Sequence, residues 1–166
     1  IYIPRIKWIA GTNNLCVYWL NRLQNNLKLL LANSINGSTK TLYEETNPYY
    51  IDINDELHFL QDGKYFLFTS EKDGYNHIYL YDINGNMKSQ LSKGKFDIDH
   101  IIGINEKTKQ VYYTAAAISP MDRQLYSVDF DGKHTQRISK GEGWHAITMN
   151  NDNTYYIDYY STINIP

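Results

Sequence analysis

The sequence carries a single cysteine, Cys16, and only four prolines in 166 residues. One thiol excludes an internal disulfide and a cysteine-built zinc site. No charge of either sign dominates: Lys and Arg total 16, Asp and Glu 18, for a formal net charge of -2. That balance argues against a nucleic-acid polyelectrolyte binder and against a polybasic membrane-surface protein. No apolar run approaches the ~20 residues of a membrane-spanning helix. There is neither an initial Met nor a charged-plus-apolar leader before Ile1. The chain therefore reads as an excised piece of a longer protein, so that missing targeting signals carry no information.

What is present is a folding composition, 42% hydrophobic and 20% charged. The aromatics are 16 Tyr against 5 Phe and 3 Trp. Tyrosine suits half-buried strands, with its ring packed and its hydroxyl wet. Asn36-Gly37, Asp62-Gly63, Asp73-Gly74, Asn84-Gly85 and Asp131-Gly132 punctuate the chain with hairpin-type turns. Between them lie short alternating runs such as Tyr65-Phe66-Leu67-Phe68-Thr69, His77-Ile78-Tyr79-Leu80-Tyr81 and Gln110-Val111-Tyr112-Tyr113-Thr114. Residues 19–31 allow two readings. Leu20, Leu23, Leu27, Leu30 and Leu31 could form a helical face, or two strands could flank a turn at Asn25-Asn26. The second agrees with every other segment.

The pattern repeats. Ile78-Tyr79-Leu80-Tyr81-Asp82 with Gly85 recurs as Leu125-Tyr126-Ser127-Val128-Asp129 with Gly132, an offset of 47. Gln90-Leu91-Ser92-Lys93-Gly94 recurs as Arg137-Ile138-Ser139-Lys140-Gly141 at the same offset. A weaker copy runs through Leu30-Leu31-Ala32-Asn33 with Gly37. A period of 40–50 residues holding four short strands is the signature of a propeller blade. The expected fold is an all-β propeller fragment with blades at about 6–45, 50–95 and 99–141 and an incomplete fourth at 145–161. Tyr79 should occupy the place of Tyr126, and Leu91 that of Ile138, in successive blades.

Four segments narrow the family. Tyr2-Ile3-Pro4-Arg5 with Trp8, Trp19-Leu20-Asn21-Arg22-Leu23-Gln24-Asn25, Glu56-Leu57-His58-Phe59 and Asp73-Gly74-Tyr75-Asn76-His77-Ile78-Tyr79 occur in this order. Together they resemble the N-terminal propeller of the dipeptidyl peptidase IV family, bacterial type, over nearly the whole chain. The resemblance implies the later part of an eight-bladed propeller. It implies a parent serine peptidase that removes dipeptides from free N-termini, usually after proline. The Asn-, Lys- and Tyr-rich composition fits an AT-rich bacterial source.

The family's nucleophile sits on a Gly-x-Ser-x-Gly elbow in a separate α/β-hydrolase domain. No such motif occurs in these 166 residues, so the segment itself is expected not to hydrolyse peptides. By resemblance its partners are that downstream domain and peptides with a free N-terminus, with a homodimer of the parent possible. The location implied is periplasmic or secreted. No cofactor or metal is implied, and His100, His134 and His145 lack metal-site spacing.

The candidate substrate-facing residues are Asp52, Asn54 and Asp55, in a connection between blades that by resemblance lines the mouth of the channel. Turn capping by Asp and Asn is the competing reading. Tyr43-Glu44-Glu45 looks like the family's amine-binding glutamate pair, but that pair precedes the "YIPR" strand and these follow it. They are read as solvated turn residues. His58 and His77 are expected to be structural. Arg5 and Arg22 are candidate buried ion-pair members between blades, Trp8, Trp19 and Trp144 packing residues, and Cys16 a buried small hydrophobe. Two other functions stay open: a TolB-like or WD-type binding scaffold with no peptidase, and a propeller glycosidase using carboxylates such as Asp52 and Glu71.

Overall fold

The computed structural model describes residues 1–165, and every regular element among them is a β-strand. The first sheet contains β1 (Ile6–Trp8), β2 (Asn14–Leu20), β3 (Asn26–Asn33) and β4 (Thr39–Thr46). The second contains β5 (His58–Phe59), β6 (Tyr65–Ser70), β7 (His77–Asp82) and β8 (Met87–Gln90). The third holds β9 (Ile98–Asn105), β10 (Gln110–Ala115), β11 (Gln124–Asp129) and β12 (Gln136–Arg137), and the fourth β13 (Trp144–Met149) and β14 (Tyr156–Ser161). Each strand lies beside its neighbour in sequence. The chain thus forms three four-stranded meanders and one two-stranded sheet, an all-β propeller fragment.

Residues 19–31 form a hairpin, not a helix: Leu20 pairs with Leu27 and Val17 with Leu30. The turn lies earlier than Asn25-Asn26 suggests. The Asn21 side-chain oxygen accepts from the backbone N–H groups of Asn25 and Asn26 at 3.0 and 3.1 Å, and Gln24 takes a positive φ of 54°. This short-range capping by Asn closes the loop between Leu20 and Asn26.

The chain divides into two compact units, Ile1–Leu67 with Tyr81–Met87, and Phe68–Leu80 with everything from Lys88 onward. In the first, Phe66 is fully buried, stacked on Tyr81 at 5.3 Å, and Tyr81 meets the edge of Tyr43. In the second, Tyr113 and Tyr126 stack at 5.6 Å between adjacent strands. Burying such a ring contributes about 2–3 kcal/mol, so the alternating aromatics of the sequence anchor each sheet.

The repeat is visible bond by bond. Leu91 N–H donates to Ile78 O, and Ile138 N–H to Leu125 O, both at 2.8 Å. Gly85 N–H donates to Asp82 O, and Gly132 N–H to Asp129 O, both at 2.9 Å. Tyr79 and Tyr126 each lie on the third strand of their sheet. The turn glycines serve more than φ. A Cβ on Gly85 would sit 2.1 Å from Leu42 O, and one on Gly132 would sit 2.4 Å from Gln90 O. In both cases the third turn of a sheet abuts the outer strand that precedes that sheet.

The tryptophans depart from expectation. Trp8 is 62% exposed on the edge strand β1, and Trp144 is 45% exposed where the Arg123 guanidinium covers it at 4.6 Å. Only Trp19 is half-buried, with Lys28 above its ring.

Candidate functional site

The connection from β4 to β5 is an arch pinned at both feet. Ile51 and Leu57 are buried, and the residues between them are exposed or half-buried. At the first foot, Asn47 N–H donates to Asn25 O and Ile51 N–H to Gln24 O, so the β2–β3 turn carries the arch. At the second, the Lys7 ammonium donates to Leu57 O.

The three candidates lie between the feet. Asp52 is exposed and its carboxylate accepts from Ile53 N–H at 3.1 Å. The Asn54 side-chain oxygen accepts from Glu56 N–H at 3.1 Å. Asp55 is held by the Arg5 guanidinium, with Nε 2.5 Å from one carboxylate oxygen. The turn-capping bonds expected of Asp and Asn are thus present at Asp52 and Asn54, and they shape the arch that presents these side chains.

Arg5 is where the sequence reading fails. It is not buried: its side chain is 49% exposed and that of Asp55 71%. The Arg5 guanidinium holds the Asp55 carboxyl below its usual range, chiefly through the hydrogen bond. So exposed a pair is screened by water and serves to orient more than to stabilise. Arg22 is exposed as well. Asp55 lies 50 positions from Arg5, and no local signal links them.

Glu44 and Glu45 separate. The β3–β4 register shifts between Leu29 and Leu30. This bulge leaves both Leu42 and Tyr43 buried and reverses the alternation beyond them. Glu44 stays exposed, with Lys28 at 3.2 Å and the Asn26 amide at 3.0 Å. Glu45 turns inward, 9% exposed, and accepts from the Tyr43 hydroxyl at 2.6 Å. Both belong to β4, so neither is a turn residue, and the solvated reading holds for Glu44 alone.

His58 Nε2 lies 3.1 Å from Glu56 Oε2. Cys16 is fully buried, and burial pushes its thiol up to about 12. Glu71 is exposed in the turn after β6, where its carbonyl accepts from Gly74 N–H. Among the described residues no group of three or more His, Cys, Asp or Glu could hold a metal ion. No helix among them is long and apolar enough to cross a membrane.

The model of the dipeptidyl peptidase IV N-terminal region matches residues 1–166. The chain belongs to this family. A crystal structure of Porphyromonas gingivalis dipeptidyl peptidase 4 superposes with a TM-score of 0.88 at 34% identity, over 96% of this chain and 23% of that one. Dipeptidyl peptidase 4 of Trichophyton rubrum is 25% identical over 180 residues, covering 98% of this chain and 23% of its own. The inactive dipeptidyl peptidase 10 of Rattus norvegicus is 31% identical over 141 residues, covering 79% of this chain and 18% of its own. The chain thus spans about a fifth to a quarter of the length of these relatives. In this dipeptidyl peptidase IV N-terminal region, the arch is a pinned connection that carries two exposed acidic side chains, Asp52 and Asp55.

Proposed function

We propose that this chain is a non-catalytic arc of the propeller of a dipeptidyl-peptidase-IV-like serine exopeptidase, gating access and walling part of its substrate chamber. The arch at residues 51–57 would face the peptide. The observation that supports this most is its construction. Two buried anchors and two backbone bonds hold a short polar segment rigid, and a fixed array of side chains is what substrate positioning needs. Asp52 and the Arg5–Asp55 pair would meet polar groups of the peptide there, with Asn54 beside them.

The chemistry would come from an α/β-hydrolase domain of the whole protein, bearing the nucleophile this segment lacks. Dimerisation of the parent, a periplasmic or secreted location and a bacterial source belong to the same reading. The peptidase reading needs a test of its own, since a relative named as inactive matches this region well. In that test the full-length protein is given a peptide with proline at its second position, with its N-terminus free or acetylated. The expected result, by mass spectrometry, is release of the N-terminal dipeptide from the free peptide alone. Intact peptide in both reactions would favour the scaffold reading, and internal cleavage would point to another peptidase class.

A further inference from the structure

Two buried side chains at the same place in successive sheets do the same work with different chemistry. His77 opens β7 at 1% exposure, and Gln124 opens β11 fully buried. They are 47 positions apart, the offset of the repeat. His77 Nδ1 lies 3.0 Å from Ser92 Oγ and its Nε2 3.1 Å from Gly94 O. Gln124 Oε1 lies 2.6 Å from Ser139 Oγ and its Nε2 3.2 Å from Gly143 O. Each serine hydroxyl also accepts a backbone N–H, from Ile78 or from Leu125, at 3.0 Å.

A carbonyl only accepts, so Nε2 carries a proton in both residues. Each serine oxygen accepts a backbone N–H; the Ser139 O–H donates to Gln124 Oε1, and the Ser92 O–H can donate to His77 Nδ1 in the same way. In its Nε2–H tautomer His77 satisfies both partners at once. It presents the same pair of groups as a glutamine amide, one donor and one acceptor. The two receiving carbonyls both belong to glycines, although Gly143 lies two residues past Gly141, the repeat counterpart of Gly94. Gly94 and Gly143 both have positive φ, 139° and 107°. A Cβ on Gly94 would press on the Phe96 ring at 2.6 Å, and one on Gly143 would meet Ser161 O at 2.2 Å.

We infer that His77 and Gln124 are interchangeable positioning residues. Each is a buried two-pronged clip that ties the start of a third strand to the chain leaving the outer strand, and so fixes the outgoing connection, residues 92–97 or 139–143. These are connections of the same topological kind as the arch at residues 51–57. Residues chosen only for apolar volume would not satisfy the serine and the glycine carbonyl together.

The test uses the full-length protein and amide hydrogen exchange at Ile78 and Leu125. A buried polar group left unpaired raises the population of local opening by about tenfold or more. His77→Leu should therefore speed exchange at Ile78 at least about tenfold, whereas His77→Gln should stay within about threefold of the parent. Gln124→His and Gln124→Leu should behave the same way at Leu125. Ser92→Ala should speed exchange at Ile78 while leaving Leu125 unchanged, and it serves if His77→Leu does not fold. Equal losses in His77→Gln and His77→Leu, or a Ser92→Ala variant with normal protection at Ile78, would overturn the assignment.

Discussion

Leucine at position 145 is expected to speed opening of β13 and β14 on the order of a hundredfold, because it strands a carboxylate. The His145 side chain is fully buried, and its Nδ1 lies 2.8 Å from Asp158 Oδ2. Breaking one half of a fully buried charged or hydrogen-bonded pair costs about 3–5 kcal/mol, most of it the penalty on the partner left behind, and the 21% exposure of the Asp158 side chain puts this pair at or below the lower end of that range. The pair is already incompletely satisfied: His145 Nε2 and Asp158 Oδ1 are buried with no hydrogen-bond partner. The third sheet shows what an apolar version looks like. His145 N–H donates to Arg123 O as Ile98 N–H donates to Asn76 O. His145 pairs with Tyr160 as Ile98 pairs with Ala115, so two residues back along the second strand Asp158 takes the place of Tyr113, although the β9–β10 register shifts between Tyr113 and Ala115 where β13–β14 runs unbroken. Ile98 and Tyr113 are both buried. His145→Ile with Asp158→Tyr should therefore recover most of the protection that His145→Leu loses, since a well-packed apolar pair commonly replaces a buried polar one without loss. Amide exchange of β13 and β14 in the full-length protein checks both variants. A single mutant as protected as the parent would show that the pair contributes nothing.

The second large effect is at Gly85. Alanine there should cost far more than alanine at Gly37, although both glycines have positive φ, 87° and 71°. The conformational penalty is common to both, about 1–2 kcal/mol. Nothing lies within 4 Å of a Cβ on Gly37, whereas one on Gly85 would stand 2.1 Å from Leu42 O. That clash is with backbone, which cannot swing aside as a side chain would. Gly37→Ala should remain folded with a slightly lowered Tm. Gly85→Ala should lose at least about 2 kcal/mol beyond it, the scale of an overpacked core. Equal Tm values for the two variants would mean that the turn moves freely away from β4.

Much of the fold was legible because each blade repeats its own chemistry. In the second and third sheets tyrosine on the third strand and glycine after the Asp that ends it recur at a fixed distance, and both answer to local rules. The position of the β2–β3 turn was not legible to that degree, because the Asn21 side chain closes it from four and five residues away. The inward turn of Glu45 hangs on a bulge that no composition signals. Exposure of Trp8 and Trp144 was also missed: a large apolar residue on a strand reads as core whether or not anything covers it. In the site, the polar character of Asp52, Asn54 and Asp55 could be read directly. Arg5 as the partner of Asp55 could not, since 50 residues of chain separate them and only tertiary structure brings them together.

The most direct measurement of the proposed role is photo-crosslinking in the full-length protein. A photoreactive amino acid is placed at position 52, in the arch, or at position 35, in the β3–β4 turn at the opposite end of the same sheet. Each variant is irradiated with a labelled proline-containing peptide whose N-terminus is free. The account predicts capture of the peptide from position 52, competed by unlabelled peptide, and none from position 35. Equal capture at both positions, or capture from position 35 alone, would contradict the claim that the arch faces the substrate.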